Sequence, residues 1–104
     1  MRTICATSPF GVSALVRKEA PDVVVLDLHM PGLDGAHLMR LLRSSPRTAG
    51  TPVVFHSGDA EESLGELAHS LGAYYSVKGG GMKPLVEAIL AAARAPRRPL
   101  ANAG

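Results

Sequence analysis

Apolar residues fall into short runs separated by turn-forming residues. Two of these runs, Val23–Leu26 and 52–56, are rich in valine and do not alternate with polar residues. Such runs are typical of strands that are buried on both faces of a parallel sheet. Thr3–Ala6 and Tyr74–Val77 have the length and composition of two further strands. The chain therefore predicts four strands.

A segment with helical spacing of apolar residues follows each predicted strand. The four helices are expected from Phe10 or Gly11 to Glu19, from Gly35 to about Ser44, over Glu61–Leu71, and from about Pro84 to Ala95. In the second helix, the pattern predicts a buried side with Leu38, Leu41 and Leu42, and exposes Arg40 and Arg43. Ser57-Gly58-Asp59 is expected to end the preceding strand and to cap the third helix.

Strands that alternate with helices indicate an α/β fold, with a parallel sheet and helices on both of its faces. The 104 residues suit one domain, which we expect to span residues 1–95, followed by a basic, flexible tail at 96–104. Fold class alone does not indicate a function.

Composition excludes several classes of partner. The formal net charge of +2 comes from Arg97 and Arg98, because the chain without its last eight residues has a formal charge of zero. The basic stripe of a nucleic-acid-binding surface is therefore missing. No apolar run approaches the length of a membrane span. Cys5 is the only cysteine, which favours the reducing cytoplasm.

Three chemically distinct side chains follow the predicted strands directly. Asp27 ends the second strand, Ser57 follows the third, and Lys78 follows the fourth. Ligands of open parallel sheets bind outside the carboxyl ends of the strands, where these three groups can share one crevice. A carboxylate nucleophile, a hydroxyl donor and an ammonium group suit phosphoryl transfer.

Residues 20–92 resemble the receiver domains of bacterial response regulators. Val23–Gly35 is similar to the phosphoacceptor strand and loop of that family, Val53–Gly58 to its fourth strand, and Gly72–Lys78 to its fifth. The resemblance implies a flavodoxin-like fold. It also implies signalling without an enzymatic activity beyond the domain's own phosphorylation and dephosphorylation. The implied partners are a histidine kinase or phosphotransfer protein and a downstream protein.

The resemblance also implies roles for individual residues. Asp27 would accept the phosphoryl group, and Ser57 and Lys78 would bind it. Tyr75 would be the aromatic switch that turns inward on phosphorylation. A divalent ion such as Mg²⁺ would be held by Asp27 and the backbone carbonyl of His29.

The chain departs from this family before Asp27. Only 26 residues precede it, too few for the two strand-helix units of the family, so we expect four strands instead of five. The first strand ends in Ala6-Thr7-Ser8, without the acidic pair that holds Mg²⁺, which predicts weak Mg²⁺ binding and slow or absent phosphorylation. The missing unit would uncover an edge of the sheet, so we expect a homodimer.

Three alternatives remain open from the sequence. The chain could be a degenerate receiver that acts as a phosphorylation-independent interaction module, or the product of a truncated gene. Asp27-x-His29-x-x-Gly32 also matches the signature of cobalamin-binding domains, in which His29 would be the lower ligand of cobalt. The remaining histidines, His56 among them, are interpreted as helix-surface or strand-end residues.

Overall fold

A computed structural model describes residues 1–6, 11–28 and 34–95 of the chain. In this part of the chain, strands and helices alternate strictly. They are β1 (Thr3–Ala6), α1 (Val12–Glu19), β2 (Val23–Asp27), α2 (Gly35–Ser44), β3 (Val53–Ser57), α3 (Glu61–Leu71), β4 (Tyr74–Val77) and α4 (Met82–Arg94). His29, Gly32 and the predicted tail 96–104 lie outside the described residues.

The four strands form one parallel sheet in the order β1-β2-β3-β4. The register pairs Thr3 with Val23, Val24 with Val53, and Val54 with Tyr74. Each strand is added beside the previous one in the same direction, so right-handed connections place α1, α2 and α3 on one face. The prediction of a four-stranded parallel α/β fold is confirmed.

The core has two layers, one on each face of the sheet. Alternate residues of β2 and β3, including Leu26 and Phe55, pack with the buried residues of α1, α2 and α3. The other residues of these strands, including Val25 and Val54, pack against α4 alone. Val23–Leu26 is buried on both faces, with each residue at most 5% exposed, which explains its uninterrupted apolar run.

Helix α4 returns along the sheet from the carboxyl ends of the strands to their amino ends. Near the C-terminal end of the helix, Ala92 and the following Ala95 line a cavity at the start of β4, together with Gly72 and Tyr74. Within the described residues, no helix is long and apolar enough to cross a membrane.

Two positions of the predicted second helix are wrong. In α2, Leu41 is 42% exposed, and Met39 is buried beside Leu38 and Leu42 instead. Positions 39 and 41 flank the stripe formed by 38 and 42 on opposite sides, so helical spacing suits both, and the side that faces the sheet is the one with Met39. Arg43 is partly buried, and its guanidinium donates a hydrogen bond to the Thr51 carbonyl at 2.9 Å.

The predicted cap of α3 is also wrong. The N-cap residue is Ala60, and no side chain caps the helix. The Ser57 hydroxyl instead accepts a hydrogen bond from the Asp59 backbone N–H, at 3.1 Å. Ser57 is the last residue of β3, and its hydroxyl stabilises the loop that follows, so it does not cap the helix that begins at Glu61.

Candidate functional site

Asp27 lies at the point where β2 emerges from the core. The four preceding residues of β2 are buried, whereas the Asp27 side chain is 39% exposed. Its Oδ2 accepts a hydrogen bond from the Lys78 ammonium at 2.8 Å. The predicted meeting of these two residues at the carboxyl end of the sheet is therefore observed, although they are far apart in the sequence.

Lys78 is placed by the continuation of the β3–β4 pairing. Its backbone N–H donates to the carbonyl of Ser57, the last residue of β3, at 2.7 Å. Strand β3 lies between β2 and β4, so the lysine side chain reaches across the end of β3 to Asp27. Gly79 and Gly81 have φ angles of 96° and 79°, which glycine adopts readily, and they turn the chain into α4.

Ser57 reaches the same rim of the sheet but is fully buried. Asp27 is in register with His56, so Ser57 lies one position further along β3. Its hydroxyl accepts from Asp59, and its carbonyl accepts from Lys78. The serine thus ties the loop after β3 to the residue that contacts Asp27.

Tyr75 lies away from Asp27, on the outer strand β4. Its side chain is 37% exposed and covers Gly65 of α3, where a Cβ atom would lie 3.3 Å from the tyrosine Cζ. The hydroxyl donates to Glu61 Oε2 at 3.4 Å. Tyr75 lines a groove of about 700 Å³ that runs between α3, β4 and α4.

His56 is the residue at this site that sequence reasoning missed. It is the register partner of Asp27, and side chains opposite each other in a sheet share a face. Its Nδ1 lies 3.2 Å from the Ser76 carbonyl on the other neighbouring strand. The alternation within β3 could have placed His56 on one face with Val54, but its position opposite Asp27 depends on the register.

The side chains around Asp27 differ from the ligands required by Mg²⁺, the ion that the family resemblance implies. Mg²⁺ takes oxygen ligands in a nearly octahedral arrangement. Asp27 is already paired with Lys78, and its neighbour His56 offers nitrogen. In the described part of the chain, no three His, Cys, Asp or Glu side chains are grouped for a metal ion. The described residues do not fit a magnesium site.

The electrostatics of the pair are those of a partly solvated site. Asp27 and Lys78 carry opposite charges at 2.8 Å, with 39% and 37% of their side chains exposed. Water screens such a pair, so it contributes at most about 1 kcal/mol to folding. A carboxylate beside an ammonium group and open to solvent has the arrangement needed to attack phosphorus while the lysine neutralises phosphoryl oxygens.

Comparisons with known proteins agree with this geometry. The protein PilH of Pseudomonas aeruginosa is 40% identical over 50 residues, which are 48% of this chain and 41% of PilH. The response regulator GacA of the same species is 37% identical over 76 residues, covering 72% of this chain and 35% of GacA. The chain thus spans less than half of the length of these relatives.

Solved structures and a family model extend the similarity over nearly the whole described chain. A LuxR-family two-component response regulator from Aurantimonas sp. SI85-9A1 superimposes with a TM-score of 0.74 and 26% identity, covering 93% of this chain and 69% of that one. The model of the response regulator receiver domain matches residues 2–90. The fold is the flavodoxin-like fold of receivers, and the chain belongs to the response regulator receiver domain family.

Proposed function

We propose that this domain accepts a phosphoryl group on Asp27 and passes the signal on through protein contacts, as a receiver in two-component signal transduction. The observation that carries the proposal is the 2.8 Å contact between Asp27 and Lys78 at the carboxyl ends of β2 and β4. A family member with an exposed carboxylate beside an ammonium group has the nucleophile and a cationic group that can neutralise the phosphoryl oxygens.

The proposed reaction is a simple transfer. An Asp27 carboxylate oxygen attacks the phosphorus of a phosphohistidine on a histidine kinase or phosphotransfer protein. A P–O bond forms, the P–N bond breaks, and the histidine leaves as an imidazole that takes a proton from solvent. Lys78 and the Ser57 hydroxyl stabilise the charge on the phosphoryl oxygens. Lys78 then exchanges part of its contact with Asp27 for the phosphoryl group.

Output would pass through the groove between α3, β4 and α4. Lys78 links the acceptor to the end of β4, and Tyr75 lines the groove on the same strand. Movement of Lys78 and Ser57 toward a phosphoryl group would shift Tyr75 and change the surface offered to a downstream protein. We further propose that the domain acts in the cytoplasm and forms homodimers through the edge of the sheet at β1.

Intact-mass spectrometry tests the acceptor directly. The protein is incubated with acetyl phosphate over a range of Mg²⁺ concentrations, beside the matched variant Asp27→Asn, which keeps the shape of the side chain and removes the nucleophile. A mass gain of one phosphoryl group in the wild type, absent from the variant, is the expected result. Equal labelling of both proteins would show that another residue is the acceptor. No labelling of either protein would exclude the active receiver.

A second candidate is an interaction module that keeps the fold without phosphoryl chemistry. The observation in its favour is the same ion pair, since Lys78 already neutralises Asp27 in the absence of a phosphoryl group. This candidate predicts that Asp27→Asn leaves partner binding unchanged. Sedimentation of wild type and variant, with and without acetyl phosphate, separates the candidates if phosphorylation alters self-association.

A further inference from the structure

The outer side of β1 presents backbone groups that point away from the domain. The carbonyl of Arg2 accepts a hydrogen bond from the N–H of Val23 at 3.4 Å, so it faces β2. Residues of a parallel strand direct their N–H and C=O groups alternately to either side. The groups of Ile4 therefore face β2, and those of Thr3 and Cys5 face outward. Among the described residues, no strand pairs with this side of β1, so its groups form a template for a further strand.

Strand β1 lacks the features by which proteins protect an exposed edge. Edge strands usually carry a lysine, a proline or a bulge that prevents pairing. Thr3–Ala6 contains no charged residue and no proline, and its register with β2 is uninterrupted. Like charges repel when they lie opposite each other in a sheet, so a neutral strand can pair with an identical one.

Helix α1 lies close to this edge. Its buried residues Val12 and Val16 belong to the same core cluster as Ala6 of β1 and Leu26 of β2. The helix therefore lies above the gap between the two strands that it connects. Because the connection is right-handed, α2 lies beside one flank of α1, and the outer edge of β1 lies below the other.

The flank of α1 above the outer edge is apolar and uncovered. Leu15 lies about 60° from the buried Val12 around the helix, and yet it is 41% exposed. Ser13, on the opposite flank, is half-buried beside α2. In a right-handed helix above a right-handed connection, this order turns Leu15 toward the edge. Ile4 is half-buried on the same face of the sheet, since its side chain alternates with those of Thr3 and Cys5.

We infer that β1 pairs in antiparallel fashion with β1 of a second copy of this chain, about a two-fold axis beside Ile4. The inference rests on the proposed function for the homodimer through β1, and it requires no phosphoryl transfer. Thr3 of each copy pairs with Cys5 of the other, which uses all the outward groups of both strands. Ile4 then lies opposite Ile4 of the second copy.

Helix α1 explains why the partner is a second copy and not an isolated peptide strand. Strands lie about 4.8 Å apart, and each α1 lies about half of that spacing inside its own β1, so the two α1 axes come to lie about 10 Å apart. Packed helices have about this separation. Leu15 of each copy thereby contacts the α1 helix of the other, whereas a peptide strand would leave it exposed.

Sedimentation velocity over a series of protein concentrations tests the dimer. Thr3→Pro removes an outward N–H but no hydrogen bond to β2, and Leu15→Lys brings two like charges together across the axis. Both should raise the Kd of the dimer by about tenfold or more. Leu41→Lys is the matched control, because Leu41 is 42% exposed on α2 and away from the edge, and it should leave the Kd unchanged.

Circular dichroism checks that each variant is folded, and Leu15→Lys decides the outcome if the proline variant is not. A wild type that stays monomeric over the whole series would overturn the inference. A dimer that Leu15→Lys leaves unchanged would also overturn it.

Oxidation with oxidised glutathione tests the register. Opposite residues of a non-hydrogen-bonded antiparallel pair have Cα atoms about 4.5 Å apart, within the range of disulfides. In the inferred register the Cα atoms of Cys5 in the two copies are about 8 Å apart, which is too far. Ile4→Cys in a Cys5→Ser background should therefore cross-link readily, and the wild type should not. The reverse result would overturn this register.

These measurements need no phosphoryl donor, so the two proposals fail separately. A lack of acetyl phosphate labelling would overturn phosphoryl acceptance and leave the dimer as it is. A monomeric wild type that is labelled on Asp27 would overturn the inference and leave phosphoryl acceptance as it is.

Discussion

Replacing Gly65 by alanine sets two effects of similar size against each other. Gly65 lies inside α3, where alanine is favoured over glycine by about 1 kcal/mol. The added methyl group would lie 3.3 Å from Cζ and from the hydroxyl oxygen of Tyr75. This is shorter than the favourable separation of about 3.5–4.0 Å, so the ring must shift.

The ring can move, because Tyr75 is 37% exposed at the groove and its hydroxyl holds Glu61 only at 3.4 Å. When the ring is displaced, it loses part of its packing on α3. This loss should cancel half or more of the stabilisation of about 1 kcal/mol that alanine brings through its higher helix propensity. In a Tyr75→Ala background the full gain should return. The two changes should therefore couple by about 0.5 kcal/mol or more.

Urea unfolding followed by circular dichroism measures the four free energies of this cycle. Ser63→Ala, at an exposed position of the same helix, is the control and should not couple to Tyr75. In a Tyr74→Phe background, Tyr75 is the only fluorophore of a chain without tryptophan. Gly65→Ala should then make Tyr75 more accessible to iodide quenching. If the changes in unfolding free energy were additive and iodide quenching were unchanged, the described packing of Tyr75 on Gly65 would be refuted.

Three further substitutions test the core, a helix end and the acceptor pair by the same urea unfolding. Phe55→Ala should cost about 3–5 kcal/mol because the ring is fully buried between the sheet and its helices, and a loss below about 1 kcal/mol would contradict that packing. Gly72→Ala should cost about 1–2 kcal/mol, since the residue that ends α3 has a φ of 74°; no loss would contradict the left-handed conformation. Lys78→Met should change stability by no more than about 1 kcal/mol, because its pair with Asp27 is partly exposed, and a larger loss would mean that the pair is structural.

Much of this fold was predictable because burial on two faces leaves a strong signal. The Val23–Leu26 run and the helix at Glu61–Leu71 were identified to within one residue of their ends. The convergence of Asp27 with Lys78 followed from a topological rule, since parallel strands bring their carboxyl ends to one rim. These predictions depended on local pattern and on chirality, both of which a sequence contains.

Other features depend on relationships between strands that are far apart in the sequence. The position of His56 beside Asp27 is a matter of register between β2 and β3. The ring of Tyr75 packs on α3 because the helix has a glycine opposite it, a contact between two separate elements. In α2, Met39 and Leu41 are both apolar, and only the direction of the sheet decides which of them is buried.

The direction of α4 has a practical consequence for handling the molecule. Because this helix returns to the amino ends of the strands, Arg2 before β1 and Ala95 after α4 both lie at the pole opposite Asp27. That pole is separated from the acceptor by the length of β2, about 16 Å. A biotin group attached at residue 1 would therefore anchor the domain to a sensor chip with its acceptor rim directed toward the flowing solution.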